Sequence, residues 1–252
     1  MVLKDVYFAY FMLALTAMAG VLYAVRLAVR GAARSERVSR IGGTALIGQE
    51  DMDWTYWAVE PIVKGCVTLG ITANGATWIA LVLGLGAGFA IGFGQYGLAS
   101  FLAAWSVLFD ILDGQIARFT NTGSNAGEVL DAATDRYTEF AFVGGAIYIY
   151  REEPWEMIVA MAALLACFMV SYASAKAEAM RVEVPRGLMR RHERATYMIV
   201  GAGLTAIFGP YLHEHVPGLP PTTFMLAGLA IVAVIGNIAA VLRLVRIGAA
   251  LR

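Results

Sequence analysis

The chain has 252 residues, and its composition is that of a protein that lies within a lipid bilayer. Hydrophobic residues make up 59% of the sequence and the mean hydropathy is +0.66, whereas a soluble globular chain is about 45–50% apolar. Basic and acidic residues balance at 19 each, so no net positive field points to a nucleic-acid partner. The only two cysteines, Cys66 and Cys167, lie in or beside apolar stretches and are interpreted as small packed hydrophobes.

The apolar segments predict seven membrane-spanning helices. The first, Val6 to Val25, is an uncharged run of 20 residues, which is long enough to cross the bilayer and too long for a signal-peptide core. Residues 65–109 carry no charge but are too many for one span, and the glycine-rich sequence at 92–97 divides them. The other six spans are predicted at 71–93, 97–120, 125–150, 155–178, 194–212 and 221–245.

Residues 31–66 are predicted to join the first span to the rest. Gly, Ser and Arg are frequent in 31–50, which indicates a loop. The segment from Asp53 to Lys64 contains both aromatic and charged residues, which favours a short amphipathic helix in the membrane interface. The predicted parts are therefore an extra N-terminal transmembrane helix (1–30), a cytoplasmic loop with an interfacial helix (31–66) and a six-span domain (67–252).

The distribution of basic residues predicts the orientation. With the N-terminus outside and the C-terminus inside, 17 of the 19 basic residues lie at the cytoplasmic ends of the spans, and only Lys4 and Arg151 lie outside. The arginines that follow the first span are expected to contact anionic headgroups; they are Arg26, Arg30, Arg34, Arg37 and Arg40. We therefore expect an integral protein of a bacterial or archaeal cytoplasmic membrane.

Four aspartates at helical spacing are the chemical centre of the sequence. They form the pattern Asp110-x2-Asp113-Gly114-x2-Ala117-Arg118-x8-Gly127-x3-Asp131-x3-Asp135. Each pair of aspartates shares one helix face, and ion pairing with the few basic residues nearby cannot neutralise them all. The spacing does not fit a calcium-binding EF-hand loop. Two divalent metal ions about 3.5–4 Å apart would neutralise the group and polarise a diphosphate.

This pattern resembles the signature of the CDP-alcohol phosphatidyltransferases at all eight fixed positions. The resemblance covers about residues 52–245 and leaves the first span as an addition. It implies a six-helix membrane bundle in which an alcohol attacks the diphosphate of a CDP-linked lipid, releases CMP and forms a phosphodiester. It also implies a homodimer. Gly84, Gly88 and Gly92, at four-residue spacing, could pack helices between subunits or within one subunit.

The resemblance implies a role for each motif residue. Two Mg2+ or Mn2+ ions are expected on Asp110, Asp113, Asp131 and Asp135, and Asp135 is also expected to be the catalytic base. The residues expected to bind the CDP-lipid are Asn74, Thr77, Asp113, Gly114, Ala117, Arg118, Ser124 and Gly127. Within that group, Asn74 and Thr77 match an Asn-x-x-Thr element that the family usually precedes with proline, where this chain has Ala73.

A second segment bears on the acceptor alcohol. Ser171-Tyr172, Lys176-Ala177-Glu178 and the arginines at 190–194 resemble the phosphatidylinositol-phosphate synthase branch of the family. An acceptor that carries its own phosphate needs basic residues beside the cleft, and arginine binds phosphate through two hydrogen bonds. The residues expected to bind that phosphate are Arg191, Arg194, Lys176 and Arg136. Positive-inside bias alone would also place arginines in this loop.

Several functions remain open from the sequence. The first is transfer of a phosphatidyl group from CDP-diacylglycerol to a phosphorylated polyol, with inositol phosphate as the expected acceptor. The alternatives are glycerol 3-phosphate as acceptor, or a phosphate-free alcohol such as serine. A hypothesis from a different class is a non-catalytic membrane scaffold that binds lipid. A transporter is disfavoured, because the carboxylates lie at one membrane face rather than at the midplane.

Overall fold

The computed structural model describes residues 2–30, 49–182 and 187–252, and these form eight α-helices without a strand. The helices are α1 (Val2–Arg30), α2 (Gln49–Thr68), α3 (Ala73–Gly92), α4 (Tyr96–Phe119), α5 (Asn125–Ile149), α6 (Pro154–Ala179), α7 (Arg191–His215) and α8 (Thr223–Ala250). The all-α prediction is confirmed, and α3 to α6 end within about two residues of the predicted spans. The loop predicted at 31–48, with its arginines, lies outside the described residues.

Six of the described helices are long and apolar enough to cross a membrane, namely α1, α3, α4, α6, α7 and α8. Helix α5 is not among them because it carries acidic and basic side chains. Its 25 residues nevertheless extend about 37 Å, and it packs along α3 and α6. Asp135 and Glu139 of α5 are buried, whereas Phe140 and Tyr148 are exposed. A helix with buried charged side chains and exposed aromatic ones is expected where lipid lies on one side and polar neighbours lie on the other.

The alternating direction of helices α3 to α8 brings the end of α4 close to the starts of α3, α5 and α7. Thr77 near the start of α3 bonds Asp113 near the end of α4, and Arg191 at the start of α7 bonds Asp110 of α4 and Asp135 of α5. The aspartate pattern and the basic segment before α7 therefore lie at the same end of the bundle.

Helix α2 is the predicted amphipathic helix, and it is longer than expected. Val59, Val63 and Cys66 recur at helical spacing and are buried against α3 and α4. Glu60 and Lys64 form an exposed ion pair on the other side. The helix begins at residue 49 rather than near 53. Its apolar face packs against the bundle, and its place in the membrane interface stays a prediction.

Helix α1 is docked on the bundle through a polar contact at the opposite end. The Asp5 carboxylate accepts hydrogen bonds from the backbone N–H groups of Gly97 (2.9 Å) and Leu98 (2.8 Å) at the start of α4. The residue before α4, Gln95, makes no capping bond of its own. A carboxylate at a helix N-terminus satisfies free N–H groups and complements the helix dipole. The added helix therefore caps α4.

Glycines bring α3 and α5 into close contact within the chain. A Cβ on Gly88 would overlap the backbone of Ala141, and one on Gly84 would overlap Thr138. Gly145 of α5 in turn faces the Gly88 carbonyl. Of the two alternatives for the glycine stripe, packing within one subunit is the one that this geometry supports.

Replacement of Gly88 by alanine is expected to destabilise the protein by about 1–3 kcal/mol, because the new methyl group forces two helix backbones apart. The measurement is thermal unfolding of the detergent-solubilised protein. Gly144→Ala on α5 is the matched control, since its Cβ would meet nothing within 4 Å. Equal unfolding temperatures for the two variants would contradict the packing argument.

Candidate active site

Three of the four aspartates converge on one point. Carboxylate oxygens of Asp110, Asp113 and Asp131 lie within 4.8 Å of one another. One oxygen of Asp131 is buried and has no hydrogen-bond partner among the described residues. Buried polar atoms are rarely left unpaired, and clustered carboxylate oxygens are the ligands that Mg2+ and Mn2+ prefer. The donor set therefore fits a divalent cation.

The fourth aspartate is joined to this cluster through an arginine. Arg191 Nη2 lies 2.6 Å from Asp135 Oδ1, and Nη1 of the same guanidinium contacts Asp110 Oδ2. Asp135 is only 7% exposed, so its charge is held among protein groups. One guanidinium thus links α4 and α5 through two ion pairs. A cation bound by Asp110 and Asp135 would compete with Arg191 for the same oxygens.

The Asn-x-x-Thr element lies beside Asp113 and Gly127 of the aspartate motif. The Thr77 hydroxyl donates to Asp113 Oδ2 at 2.7 Å, and the Gly114 N–H donates to the other oxygen of that carboxylate. The Asn74 side-chain oxygen would lie 3.5 Å from a Cβ on Gly127. The bonds from Thr77 and Gly114 fix the direction of Asp113. A Cβ on Gly127 would also lie only 3.3 Å from Ser124 Oγ.

The other residues predicted to bind the CDP-lipid lie at the end of α4 and the start of α5. Arg118 is exposed on the last turn of α4, where its guanidinium would lie 3.2 Å from a Cβ on Gly114. Ala117 beside it is half-buried. The Ser124 Oγ accepts a hydrogen bond from the Gly127 N–H at 3.1 Å. Ser124 therefore has a clear role as the N-cap of α5, whereas its contact with nucleotide stays a prediction.

The four residues predicted to bind the acceptor phosphate differ in their surroundings. Arg136 lies 3.4 Å from Asp135 Oδ2 and also bonds the Ala132 carbonyl. Lys176 is half-buried on the last turn of α6. Arg194, in contrast, is 1% exposed and its guanidinium is directed into the bundle. The contacts of Arg194 favour a supporting role over direct contact with a phosphate from solution.

Two residues near the site escaped the sequence analysis. Glu139 is buried and bonds Arg194; it lies four residues after Asp135, so the helical spacing of the aspartates could have identified it. Arg243 of α8 donates to Ser174 Oγ at 2.7 Å and to the Leu188 carbonyl at 3.0 Å. Nothing in the local sequence indicates these contacts of Arg243, because they join segments far apart in the chain.

A cavity of about 280 Å³ extends from the site into the bundle between α3, α4, α5 and α7. Asp110, Glu139 and Arg191 border it, and most of its other lining side chains are apolar, such as Val107 and Met198. The charged groups of the site therefore face a region of low polarity, where interactions between charges are stronger than in water.

A family model described as CDP-alcohol phosphatidyltransferase matches residues 70–247. The chain belongs to the CDP-alcohol phosphatidyltransferase family. The matched region contains all four aspartates and runs from the turn before α3 almost to the end of α8, whereas α1 and α2 precede it. The protein is thus an integral membrane enzyme that transfers a phosphatidyl group from a CDP-linked lipid to an alcohol.

Curated relatives from bacteria and an archaeon match parts of the chain. Phosphatidylinositol phosphate synthase from Corynebacterium glutamicum is 33% identical over 159 residues, which are 61% of this chain and 72% of that protein. The enzyme of the same name from Mycobacterium marinum is 29% identical over 69% of this chain and 74% of its own length. Archaetidylinositol phosphate synthase from Aeropyrum pernix is 38% identical over 37% of this chain and 47% of its own.

Solved structures of Mycobacterium tuberculosis phosphatidylinositol phosphate synthase share the fold. The complex with manganese and citrate has a TM-score of 0.64 and 26% identity, and the match covers 74% of this chain and 87% of that one. The structure with CDP-DAG bound has a TM-score of 0.63 and 27% identity, covering 74% and 92%. The predicted six-helix architecture is confirmed, and a divalent metal in a structural neighbour agrees with the aspartate cluster.

Proposed function

We propose that the enzyme transfers the phosphatidyl group of CDP-diacylglycerol to a hydroxyl of inositol phosphate and releases CMP. The observation that carries the proposal is the position of Arg191. Its guanidinium contacts Asp110 and Asp135 and borders the cavity of the site. A phosphorylated acceptor needs a cation next to the group that activates its hydroxyl, and Arg191 supplies one. The relatives named phosphatidylinositol phosphate synthase support the same acceptor.

The four aspartates are proposed to hold two Mg2+ or Mn2+ ions. When bound, these cations would polarise the diphosphate and offset the negative charge that develops on the leaving CMP. Thr77 keeps Asp113 in the direction required for this, through its 2.7 Å bond. Asn74, Arg118, Ser124 and the glycines of the motif are proposed to bind the nucleotide and its diphosphate.

Asp135 is proposed to take the proton from the acceptor hydroxyl. The hydroxyl oxygen forms a bond to the phosphatidyl phosphorus, the bond from that phosphorus to the CMP oxygen breaks, and CMP leaves with the electron pair. The Arg191 guanidinium would bind the acceptor phosphate once cations hold the Asp110 and Asp135 oxygens that its two terminal nitrogens contact here. Arg136 and Lys176 are proposed as further cations. This fixed orientation favours the acceptor hydroxyl over water.

The orientation in the membrane is also a proposal. Basic residues gather at the end of the bundle that carries the aspartates, including Arg118, Arg136 and Arg191, which supports an active site facing the cytoplasm. CDP-diacylglycerol would then enter from the inner leaflet, with its acyl chains among the helices. The N-terminus would lie outside and the C-terminus inside. A homodimer is proposed from the family resemblance.

The test is CMP release from CDP-diacylglycerol in the presence of Mg2+ or Mn2+. Four acceptors are compared: inositol 1-phosphate, glycerol 3-phosphate, free inositol and serine. We expect turnover with inositol 1-phosphate and little with the two alcohols that lack a phosphate. Faster turnover with glycerol 3-phosphate would replace the proposed acceptor, and turnover with serine or free inositol would refute a phosphate-binding role for Arg191.

A further inference from the structure

A buried ion pair lies one helical turn deeper in the bundle than the contact between Asp135 and Arg191. Glu139 of α5 is 7% exposed and Arg194 of α7 is 1% exposed. Arg194 Nε lies 3.0 Å from Glu139 Oε1, and Nη2 of the same guanidinium lies 2.5 Å from that oxygen. Arg194 is shielded from solvent, whereas Glu139 also borders the cavity between α3, α4, α5 and α7.

The remaining donors of Arg194 hold the segment that leads into α7. Nη1 donates to the Met189 carbonyl at 2.7 Å, and Nη2 lies 3.3 Å from Ser171 Oγ of α6. Met189 has a φ angle of +61°, a left-handed conformation that disfavours a side chain. Such a conformation persists only where the surroundings impose it. One guanidinium thus joins α5, α6 and a strained residue two positions before Arg191.

The two ion pairs form successive links between α5 and α7. Asp135 and Glu139 are four residues apart on α5, whereas Arg191 and Arg194 are three apart on α7, so both pairs share one helix face on each side. The outer link contains the groups proposed to act on the acceptor. The inner link sets the height and rotation of α7 relative to α5, and therefore where the Arg191 guanidinium lies.

Energetic considerations favour a positional role for this pair over a purely stabilising one. Burial of two charges costs desolvation energy that their attraction offsets only in good geometry, and a well-packed apolar pair often stabilises as much. What an apolar pair cannot do is hold the Met189 carbonyl and define one register between two helices. The observed contacts use Arg194 for both purposes.

We propose that Glu139 and Arg194 are positioning residues for the acceptor site. They hold Met189 and the start of α7 so that Arg191 reaches the acceptor phosphate, and neither residue touches substrate itself. This inference rests on the proposed function, because it concerns the phosphorylated acceptor. The inference gives Arg194 a different role from Arg191, although the sequence positions of the two arginines suggest the same role.

The experiment compares Glu139→Gln and Arg194→Lys with wild type and with Glu214→Gln, an exposed carboxylate at the other end of α7. Steady-state kinetics give separate KM values for inositol 1-phosphate and CDP-diacylglycerol. We expect the KM for inositol 1-phosphate to rise at least about tenfold in both test variants, while the KM for CDP-diacylglycerol stays within about twofold of wild type. Glu214→Gln is expected to match wild type in both values.

Hydrogen–deuterium exchange of residues 187–196 supplies a readout that needs no turnover. Exchange should be faster in both test variants and unchanged in the control. Unchanged exchange, or faster exchange with no rise in the acceptor KM, would overturn the inference. If wild type turns over no phosphorylated acceptor, the proposed function fails, and the exchange result still shows whether the pair holds this segment. Should the test variants not fold, Ser171→Ala removes only one weak partner of Arg194 and is measured in the same way.

Discussion

Replacement of Asp135 by asparagine is expected to reduce CMP release from CDP-diacylglycerol by at least about 100-fold, the lower range for loss of a general base. The amide is nearly the same size as the carboxylate but cannot accept the proton of the acceptor hydroxyl or bind a cation with the same strength. Asp135 is buried and ion-paired with Arg191. The measurement is the initial rate of CMP release at saturating acceptor.

The Asp135→Asn variant is expected to retain its fold and its binding of CDP-diacylglycerol, and both are measured as controls. Thermal unfolding and CDP-diacylglycerol binding are measured on the same preparation, and Glu214→Gln serves as an exposed carboxyl-to-amide change on α7. A loss of less than about tenfold would be below the usual range for a general base and would exclude Asp135 from that role. Rates at background level in both wild type and the variant would instead point to a different CDP-lipid donor.

Replacement of Arg191 by glutamine is expected to weaken the binding of the acceptor and to strengthen the binding of Mn2+. The KM for inositol 1-phosphate should rise about 10–100-fold, as expected for loss of charge-assisted hydrogen bonds to phosphate. The affinity for Mn2+ should increase, because the guanidinium no longer competes for the oxygens of Asp110 and Asp135. The acceptor KM comes from steady-state kinetics, and the Mn2+ affinity comes from titration of free Mn2+ by electron paramagnetic resonance without substrate.

Arg246→Gln is the matched control for the arginine variant. Arg246 is exposed near the end of α8 at the same side of the bundle, so the change in net charge is the same. If Arg246→Gln raised the acceptor KM as much as Arg191→Gln, long-range attraction rather than direct contact would explain the effect. Weaker Mn2+ binding in Arg191→Gln would contradict the competition between arginine and metal.

Long apolar runs and one-face spacing were sufficient to predict most of the architecture. The spans at 71–93 and 97–120 became α3 and α4 with boundaries within about three residues. Helix α2 began earlier than expected, at residue 49, because aromatic and charged residues define an amphipathic face but not a helix start. Helix α5 was predicted as a span although its charges exclude it on composition alone. Its polar face is buried by neighbours that are distant in sequence.

In the active site, too, the spacing of residues along the chain predicted some contacts and not others. Asp110, Asp113 and Asp131 were expected together from spacing alone, and their oxygens do converge. The roles of Arg191 and Arg194 could not be separated in this way, because two arginines three residues apart on one helix look equivalent. Only the position of Glu139 on another helix places Arg194 inside the bundle and leaves Arg191 at the aspartates.

Composition and short-range spacing were enough to identify the membrane class, the helical segments, the family and the four aspartates, because these depend on residues close together in the chain. The partner of each charge became clear only from the folded bundle: Arg191 pairs with Asp110 and Asp135, Arg194 pairs with Glu139, and Asp5 binds the start of α4. The physical reason is that a buried charge is stable only beside a complementary group. In this bundle that group comes from another helix, so local spacing could not identify it.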